Sequence, residues 1–326
     1  MAAAGSCSAQ GRASLLFRIG DDMSLLITGS IGIDNVTTPF GQVTDVIGGS
    51  AVYFSRAAAH FSKVRLVGVV GDDFPHKYER VFKHKNIDIA GLERRVGSKT
   101  FRWSGSYDST MNEATTTSVD LNVLAESAPT IPNQYADSRI VFLAATHPTL
   151  QMELVAQVKK PLLVVADTRD LWIRNYQKEL LASLKKIDGL VLNDLEARLL
   201  VNTVNLVDCL NKIRRLLRPS GPRMVVLKKG EHGCLAAYGS QFFPMPAFPS
   251  AKVIDPTGAG DSFAGGLLGY LARKPRLGEA DFKRAVMAGT IMASFTIEGF
   301  STAGLDRASA TKISSRTRVF ERMLKI

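Results

Sequence analysis

Short apolar runs alternate along this chain with longer stretches in which apolar residues return every three or four positions. The short runs are read as strands at 25–29, 65–69, 140–144, 162–166, 189–192 and 224–228. They show little period-two alternation, which marks strands covered on both faces. The amphipathic stretches are read as helices at 51–61, 74–84, 151–159, 177–187, 195–200, 206–217, 261–272 and 282–297. Such alternation means βαβ units, so the expected fold class is α/β. A central, mostly parallel sheet would lie between two helical layers as a three-layer αβα sandwich.

Two segments break the rhythm. Residues 97–123 read as a polar hairpin, in which Phe101, Trp103 and Tyr107 alternate with Arg102, Ser104 and Ser106 before a turn near Asn112-Glu113. A second short strand pair is expected at 35–47, around the turn Pro39-Phe40-Gly41. Period two with aromatic and β-branched side chains is strand-like. Both pairs are expected to project from the same sheet edge and form a small β lid over a site. Ahead of the first strand, residues 1–22 are rich in Ala, Ser and Gly, with Arg12 and Arg18 and no acid before Asp21. Their apolar core Leu15-Leu16-Phe17 is too short for a secretory signal. They carry a faint transit-peptide flavour, but the preferred reading is a disordered extension outside the fold. Residues 23–326 would then form the folded domain, with the lid strands inserted in it.

Composition narrows the function classes. The chain of 326 residues is 45% apolar and 22% charged, too apolar for wholesale disorder. Lys and Arg number 41 against 30 Asp and Glu, a formal net charge of +11. The densest basic stretch, 212–229, sets Arg214, Arg215 and Arg218 beside Ile213, Leu216 and Leu217. That is the pattern of a solvated helix face, so no nucleic-acid partner is expected, and the positive potential suits a polyphosphate substrate. Three cysteines, Cys7, Cys209 and Cys234, exclude a disulfide scaffold and a cysteine-rich zinc site. They point to a reducing compartment, the cytoplasm. No apolar stretch approaches the length of a membrane span, and no membrane partner is expected.

The strongest chemical signal is the run Val253-Ile254-Asp255-Pro256-Thr257-Gly258-Ala259-Gly260-Asp261-Ser262-Phe263-Ala264-Gly265-Gly266. It reads as strand, tight turn and helix start. Gly258 and Gly260 let the backbone approach a ligand, and amides at the helix start favour an anion. An acid in that concavity makes sense if Asp261 takes a proton from a hydroxyl attacking phosphorus, while the amides hold the transferring group. The plain alternative is that Asp261 caps its helix. No Walker-type loop and no dinucleotide fingerprint occurs, and Ser262 lacks an esterase elbow.

Three weaker signals accompany it. Asn193-Asp194-Leu195-Glu196 follows an apolar strand, and positions 193 and 196 share a helix face that can point at a metal–phosphate cluster. The same spacing also fits a capping box. Asp34 and the pair Gly48-Gly49, with Ser50 opening a helix, fit a polyol held at the carboxyl ends of strands, or else ordinary turns. Lys228-Lys229-Gly230-Glu231-His232-Gly233 fits a loop beside an adenine nucleotide, or a plain hairpin turn.

These blocks, in this order, resemble the PfkB or ribokinase-like family of carbohydrate and nucleoside kinases, over about residues 23–300. The run from Asp255 to Asp261 is close to that family's C-terminal signature, and Gly48-Gly49-Ser50-Ala51 through Gly71-Asp72-Asp73-Phe74 looks like the looser N-terminal one. The resemblance implies an ATP- and Mg²⁺-dependent phosphotransferase acting on a hydroxyl of a sugar or nucleoside, with a β lid that allows a homodimer. Asp261 would be the base, and Gly258, Ala259 and Gly260 the anion hole. Asn193 and Glu196 would lie at the Mg²⁺ region, acting through water. Lys228, Gly230, Gly233 and Thr257, with Ala288, Gly289 and Met292 on a late helix, would flank ATP. Asp34, Gly48, Gly49 and Ser50 would hold the small polyhydroxy acceptor. Some members use a monovalent cation such as K⁺ near the position of Asp255. Arg169, and Trp172 beyond it, can reach toward the acceptor. Ribokinases read Gly-Gly-Lys-Gly-Ala-Asn where this chain has Gly48-Gly49-Ser50-Ala51-Val52-Tyr53, which argues against ribose and leaves a nucleoside open. A non-catalytic sugar- or nucleotide-sensing module on the same fold is the alternative function, and a binding-only protein has no need of Asp261 as a base.

Overall fold

The computed structural model describes residues 24–274 and 277–325. The expectations for residues 1–22 and for Met23 lie outside them. Thirteen strands are described: β1 Leu25–Thr28, β2 Gly32–Thr38, β3 Gly41–Gly48, β4 Val64–Gly71, β5 Ile87–Arg95, β6 Phe101–Tyr107, β7 Ala114–Asp120, β8 Ile140–Leu143, β9 Leu163–Asp167, β10 Gly189–Asn193, β11 Met224–Lys228, β12 Cys234–Tyr238 and β13 Gln241–Met245. The α-helices are α1 Ser50–Ala58, α2 Pro148–Val155, α3 Asp170–Asn175, α4 Gln177–Leu184, α5 Asp194–Val201, α6 Leu206–Leu216, α7 Ala259–Leu271, α8 Glu279–Thr296, α9 Ala303–Asp306 and α10 Ala310–Met323.

Nine strands form the central sheet in the order β13-β12-β11-β10-β9-β8-β1-β4-β5. From β11 to β5 every pairing is parallel, and β12 and β13 continue the sheet antiparallel. The expected two-faced burial is visible residue by residue. Leu25 and Ile27 of β1 belong to the core under α1, α7, α8 and α10, while Leu26 between them packs with α2, α4, α5 and α6. In β11, Met224 and Val226 face the first layer and Val225 and Leu227 the second. Parallel strands covered by helices on both sides need continuous apolar runs, which is why these segments lack alternation.

The basic stretch near α6 is absorbed internally. Lys212 pairs with Asp208 (2.9 Å), Arg214 donates to the Gly239 carbonyl, and Arg218 pairs with the fully buried Asp188. Among the described residues no helix is long and apolar enough to cross a membrane.

The lid is a separate four-stranded sheet in the order β3-β2-β6-β7, with β2 and β6 parallel. Its two hairpins do not leave one sheet edge, as the sequence pattern led us to expect. The first follows β1, which lies inside the sheet between β8 and β4, and the second follows edge strand β5. Pairing of β2 with β6 joins them. The helix expected at 74–84 is a 3₁₀ segment, His76–Phe82. Its larger rise per residue returns the chain quickly to β5 with Tyr78 and Phe82 turned inward.

Candidate active site

The carboxyl ends of β1, β8, β9, β10 and β11, the lid, and the turn before α7 enclose one cavity of about 480 Å³. Asp167 comes from a strand end, Asp34 from β2, Glu196 from α5 and Asp261 from α7, while Phe101, Trp103 and Tyr107 of the lid supply aromatic walls. Parallel strands place all their carboxyl ends at one edge, so residues far apart in sequence converge there.

Gly258 is the N-cap of α7 and adopts φ +75°, the left-handed region. A Cβ there would collide with the ring of Tyr53, which lies against the turn from α1. Both facts require glycine. The Ala259 N–H donates to the Pro256 carbonyl (3.1 Å), so that donor is shared with the turn itself. Asp261 follows in the first turn of α7 and lines the cavity. Its carboxyl is pushed up to about 6, first by burial and then by the nearby charge of Asp167, while Lys228 and Arg169 oppose the rise.

Lys228, at the end of β11, reaches to Asp167 at the end of β9 (Nζ to Oδ2, 3.3 Å). Its ammonium also lies close to Gly260, where a Cβ would stand 2.8 Å from Nζ. Burial works against the charged lysine, but Asp167, Glu196 and Asp261 outweigh it and raise its pKa. Asp167 carries no proposed role in the sequence reading. The signal was present, since an acid closes the apolar run Leu163-Val164-Val165-Ala166.

Asn193 and Glu196 form the capping box outright. Glu196 N donates to Asn193 Oδ1 (2.7 Å), and Asn193 N donates to Glu196 Oε2 (2.8 Å). Both also line the cavity, so cap and site coexist. Burial, and then Asp167, push the Glu196 carboxyl up to about 7.

Asp34, on β2, is 4% exposed, and its Oδ1 has no hydrogen-bond partner among the described residues. Burial, then Asp255 and Asp261, push its carboxyl up to about 7. Gly48 does not line the cavity. It pairs with Gly32 across β2 and β3, and a Cβ there would overlap the Asp34 carboxylate, so its absent side chain makes room for that group. Gly49 starts α1 at φ +98° against the Ser30 backbone. Ser50 clamps the same loop, its N–H donating to Ser30 Oγ (3.0 Å) while Ser30 N–H donates to Ser50 Oγ (3.1 Å).

Asp255 Oδ1 accepts from the Thr257 N–H (2.9 Å), while its Oδ2 is buried without a partner among the described residues. Arg169 and Trp172 both line the cavity, and Trp172 meets His147 edge-on and Tyr176 at a tilt, at ring distances of 5.4 and 5.6 Å.

Eight expected residues lie outside the lining: Gly48, Asp255 and Ala259, which border it in sequence or in the turn, and five that lie farther along the chain. Gly230 and Gly233, at φ +51° and +76°, shape the turn between β11 and β12. Ala288, Gly289 and Met292 pack α8 on α7: Gly266 meets the Ala288 carbonyl, the Gly289 Cα and Met292. Conversely, Tyr53, Tyr107, Thr168 and His147 line the cavity. Sequence reasoning gave none of these four a role in the site.

Comparison with known proteins accords with this geometry. Residues 19–307 match the pfkB family of carbohydrate kinases. A cytidine kinase from Thermococcus kodakarensis is 28% identical over 266 residues, covering 78% of this chain and 90% of the relative. A nucleoside kinase from Methanocaldococcus jannaschii, an archaeal member of the ribokinase family, superposes with a TM-score of 0.72 at 21% identity, over 92% of this chain and 99% of its own. A candidate ribokinase II from E. coli, solved with ATP and Mg²⁺, gives 0.73 at 15% identity, over 91% and 99%. The chain belongs to the pfkB carbohydrate kinase family and is a phosphotransferase with an alcohol group of a sugar or nucleoside as acceptor.

Proposed function

We propose that this family member transfers the γ-phosphoryl group of ATP to a hydroxyl of a nucleoside or a sugar, with Asp261 as the general base. The observation that carries the reading is the position of Asp261: a carboxyl with raised pKa, in the cavity, in the first turn of α7 beside Gly258 and Gly260, which line the same space. In the reaction the acceptor O–H gives its proton to Asp261, the oxygen bonds to γ-phosphorus, and the bond to the β,γ-bridging oxygen breaks to release ADP. In this reading the amides of the turn from Gly258 to Gly260 would stabilise the charge that develops on the transferring group, with the Lys228 ammonium beside Gly260 adding positive charge. A carboxyl near 6 is ionised at neutral pH yet basic enough to accept a proton.

Asp34 offers its unpartnered oxygen to acceptor hydroxyls, with the Gly49–Ser50 turn beside it. Phe101, Trp103 and Trp172 give the cavity flat apolar walls, which favour an acceptor carrying a base over a bare sugar. The cytidine and nucleoside kinase relatives support the same choice. Arg169 adds a positive charge on the acceptor side.

Among the described residues, no three His, Cys, Asp or Glu side chains converge to hold a metal alone. Mg²⁺ would therefore ride on nucleotide oxygens and water, with Glu196 and Asn193 beside it, and would supply neutralising charge across the phosphates. The orphaned Asp255 Oδ2 fits an oxygen donor for a monovalent cation such as K⁺. Lys228 and Thr257 line the cavity and would face the phosphates, while the Gly230–Gly233 turn after β11 lies outside the lining.

The test is an ATP-consumption screen over nucleosides, sugars and polyols, with Asp261→Asn as control. An acceptor turned over by the wild type and not by the variant establishes the assignment. Equal turnover by both would overturn the role of Asp261.

A further inference from the structure

The turn that carries the amides is gripped from two sides. Below it, the ring of Tyr53 fills the space under Gly258. Above it, the lid reaches down: Thr257 Oγ1 donates to the Tyr107 hydroxyl (3.2 Å), across 150 residues of sequence. Tyr107 is the last residue of β6 and pairs with Ala114 across the hairpin, so its position reports that of the whole lid. Thr257 is in turn fixed by its N–H bond to Asp255 and precedes Gly258 directly. The hairpin tip makes a second contact, from Asn112 Nδ2 to Glu231 Oε1 (3.4 Å), in the turn after β11.

Resting on the kinase reading above, we infer that Tyr107 is a positioning residue: its hydroxyl, through Thr257, sets the phosphoryl-transfer turn in register with the closed lid. One hydroxyl–hydroxyl bond then links the element that covers the acceptor to the amides and base that act on it. With the lid displaced, Thr257 loses that partner, and the turn keeps only the Tyr53 packing and the backbone bond to Asp255. Transfer to a seated acceptor is favoured over transfer to water, because the amides reach working geometry only under a closed roof. Burial pushes the Tyr107 phenol up to about 12, so it stays a protonated hydroxyl across the neutral range.

The experiment compares wild type, Tyr107→Phe, Thr257→Val and the double variant in two arms. In the first, with no ligand present, hydrogen exchange is followed at the amides of 258–261 and of the lid strands. Both single variants should speed exchange at 258–261 by about three- to tenfold, the range of one net hydrogen bond, with the double variant no faster than either. In the second, with Mg·ATP and cytidine or the best acceptor of the screen, kcat should fall by a similar factor. ADP formed per phosphorylated product should rise above one, while in Tyr107→Phe, which leaves the ATP-flanking Thr257 in place, KM for ATP is unchanged. Multiplying effects in the double variant, unchanged exchange at 258–261, or a rise in acceptor KM alone would each overturn the linkage. The last would make the phenol a direct acceptor contact. The exchange arm needs no substrate, so a wild type silent toward every acceptor would defeat the functional reading and leave the linkage to be decided by exchange.

Discussion

Asp34→Asn should stabilise the free protein at alkaline pH while crippling it as an enzyme. Asp34 is buried, one of its oxygens is unpartnered among the described residues, and Asp255 and Asp261 add to the burial in pushing its carboxyl from 3.8 to about 7. A raised folded-state value means that the folded protein binds the proton more tightly than the unfolded chain. The stabilising contribution of that proton is complete below the unfolded value of 3.8 and is lost as pH rises through about 7. At about 1.36 kcal/mol per tenfold change in proton affinity, the whole loss is about 4 kcal/mol. Some 2–3 kcal/mol of it falls between pH 5 and pH 8. Asparagine keeps the shape and removes the charge, so the gain in Tm of the variant over wild type should grow by on the order of 5 °C from pH 5 to pH 8. Losing a charged hydrogen-bond acceptor should raise the acceptor KM by about 10- to 100-fold. Thermal unfolding in matched buffers at both pH values, with initial-rate kinetics, measures both. A variant less stable than wild type at pH 8, or a difference in Tm that ignores pH, would refute the reasoning.

Three further outcomes are expected. Asp261→Asn should lower kcat by about 10²–10⁴ without loss of Tm, and the wild-type rate should fall about tenfold per pH unit below about 6, as the base is protonated; a flat acid limb in a kcat/KM profile would exclude it as the titrating base. Gly258→Ala must adopt φ +75° against the Tyr53 ring, so unfolding should show a loss of about 1–3 kcal/mol and assays a large drop in kcat. Glu196→Gln preserves the capping box, so Tm should hold while the Mg²⁺ concentration for half-maximal rate rises about tenfold; Asn193→Ala, which breaks the box, should cost about 1 kcal/mol of stability besides.

What the sequence made legible follows from how local each constraint is. The turn at Gly258 is written in its own residues, because a left-handed backbone pressed on a ring admits only glycine. The central strands are written in their continuous apolar runs, and the lid hairpin in its alternation. Strand β5 escaped notice because it lies at the sheet edge, where exposed Asp88 and Arg94 and half-buried Glu93 interrupt the apolar pattern. Helix α10 escaped because Ile313 and Phe320 are its buried residues in an otherwise polar face. Ala288, Gly289 and Met292 entered through family resemblance, and their contacts are with α7.

The least legible part is the electrostatics, since every partner is remote in sequence. Lys228 meets Asp167 across 61 positions, and Tyr107 meets Thr257 across 150. Yet these pairings decide how the motifs behave. Asp34, Glu196 and Asp261 are each displaced above the usual carboxylate range first by burial and then by neighbouring carboxylates, Asp255 and Asp261 for Asp34 and Asp167 for the other two. Such a cluster weakens the free fold as pH rises, and Lys228 and Arg169 only partly compensate. On the proposed reading, a cation-bearing polyphosphate and a hydroxyl donor would relieve it: the first would supply positive charge beside Glu196, the second a donor for Asp34. The free protein's instability toward base and its appetite for those two ligands are therefore one property, and substitutions that remove the first should remove the second.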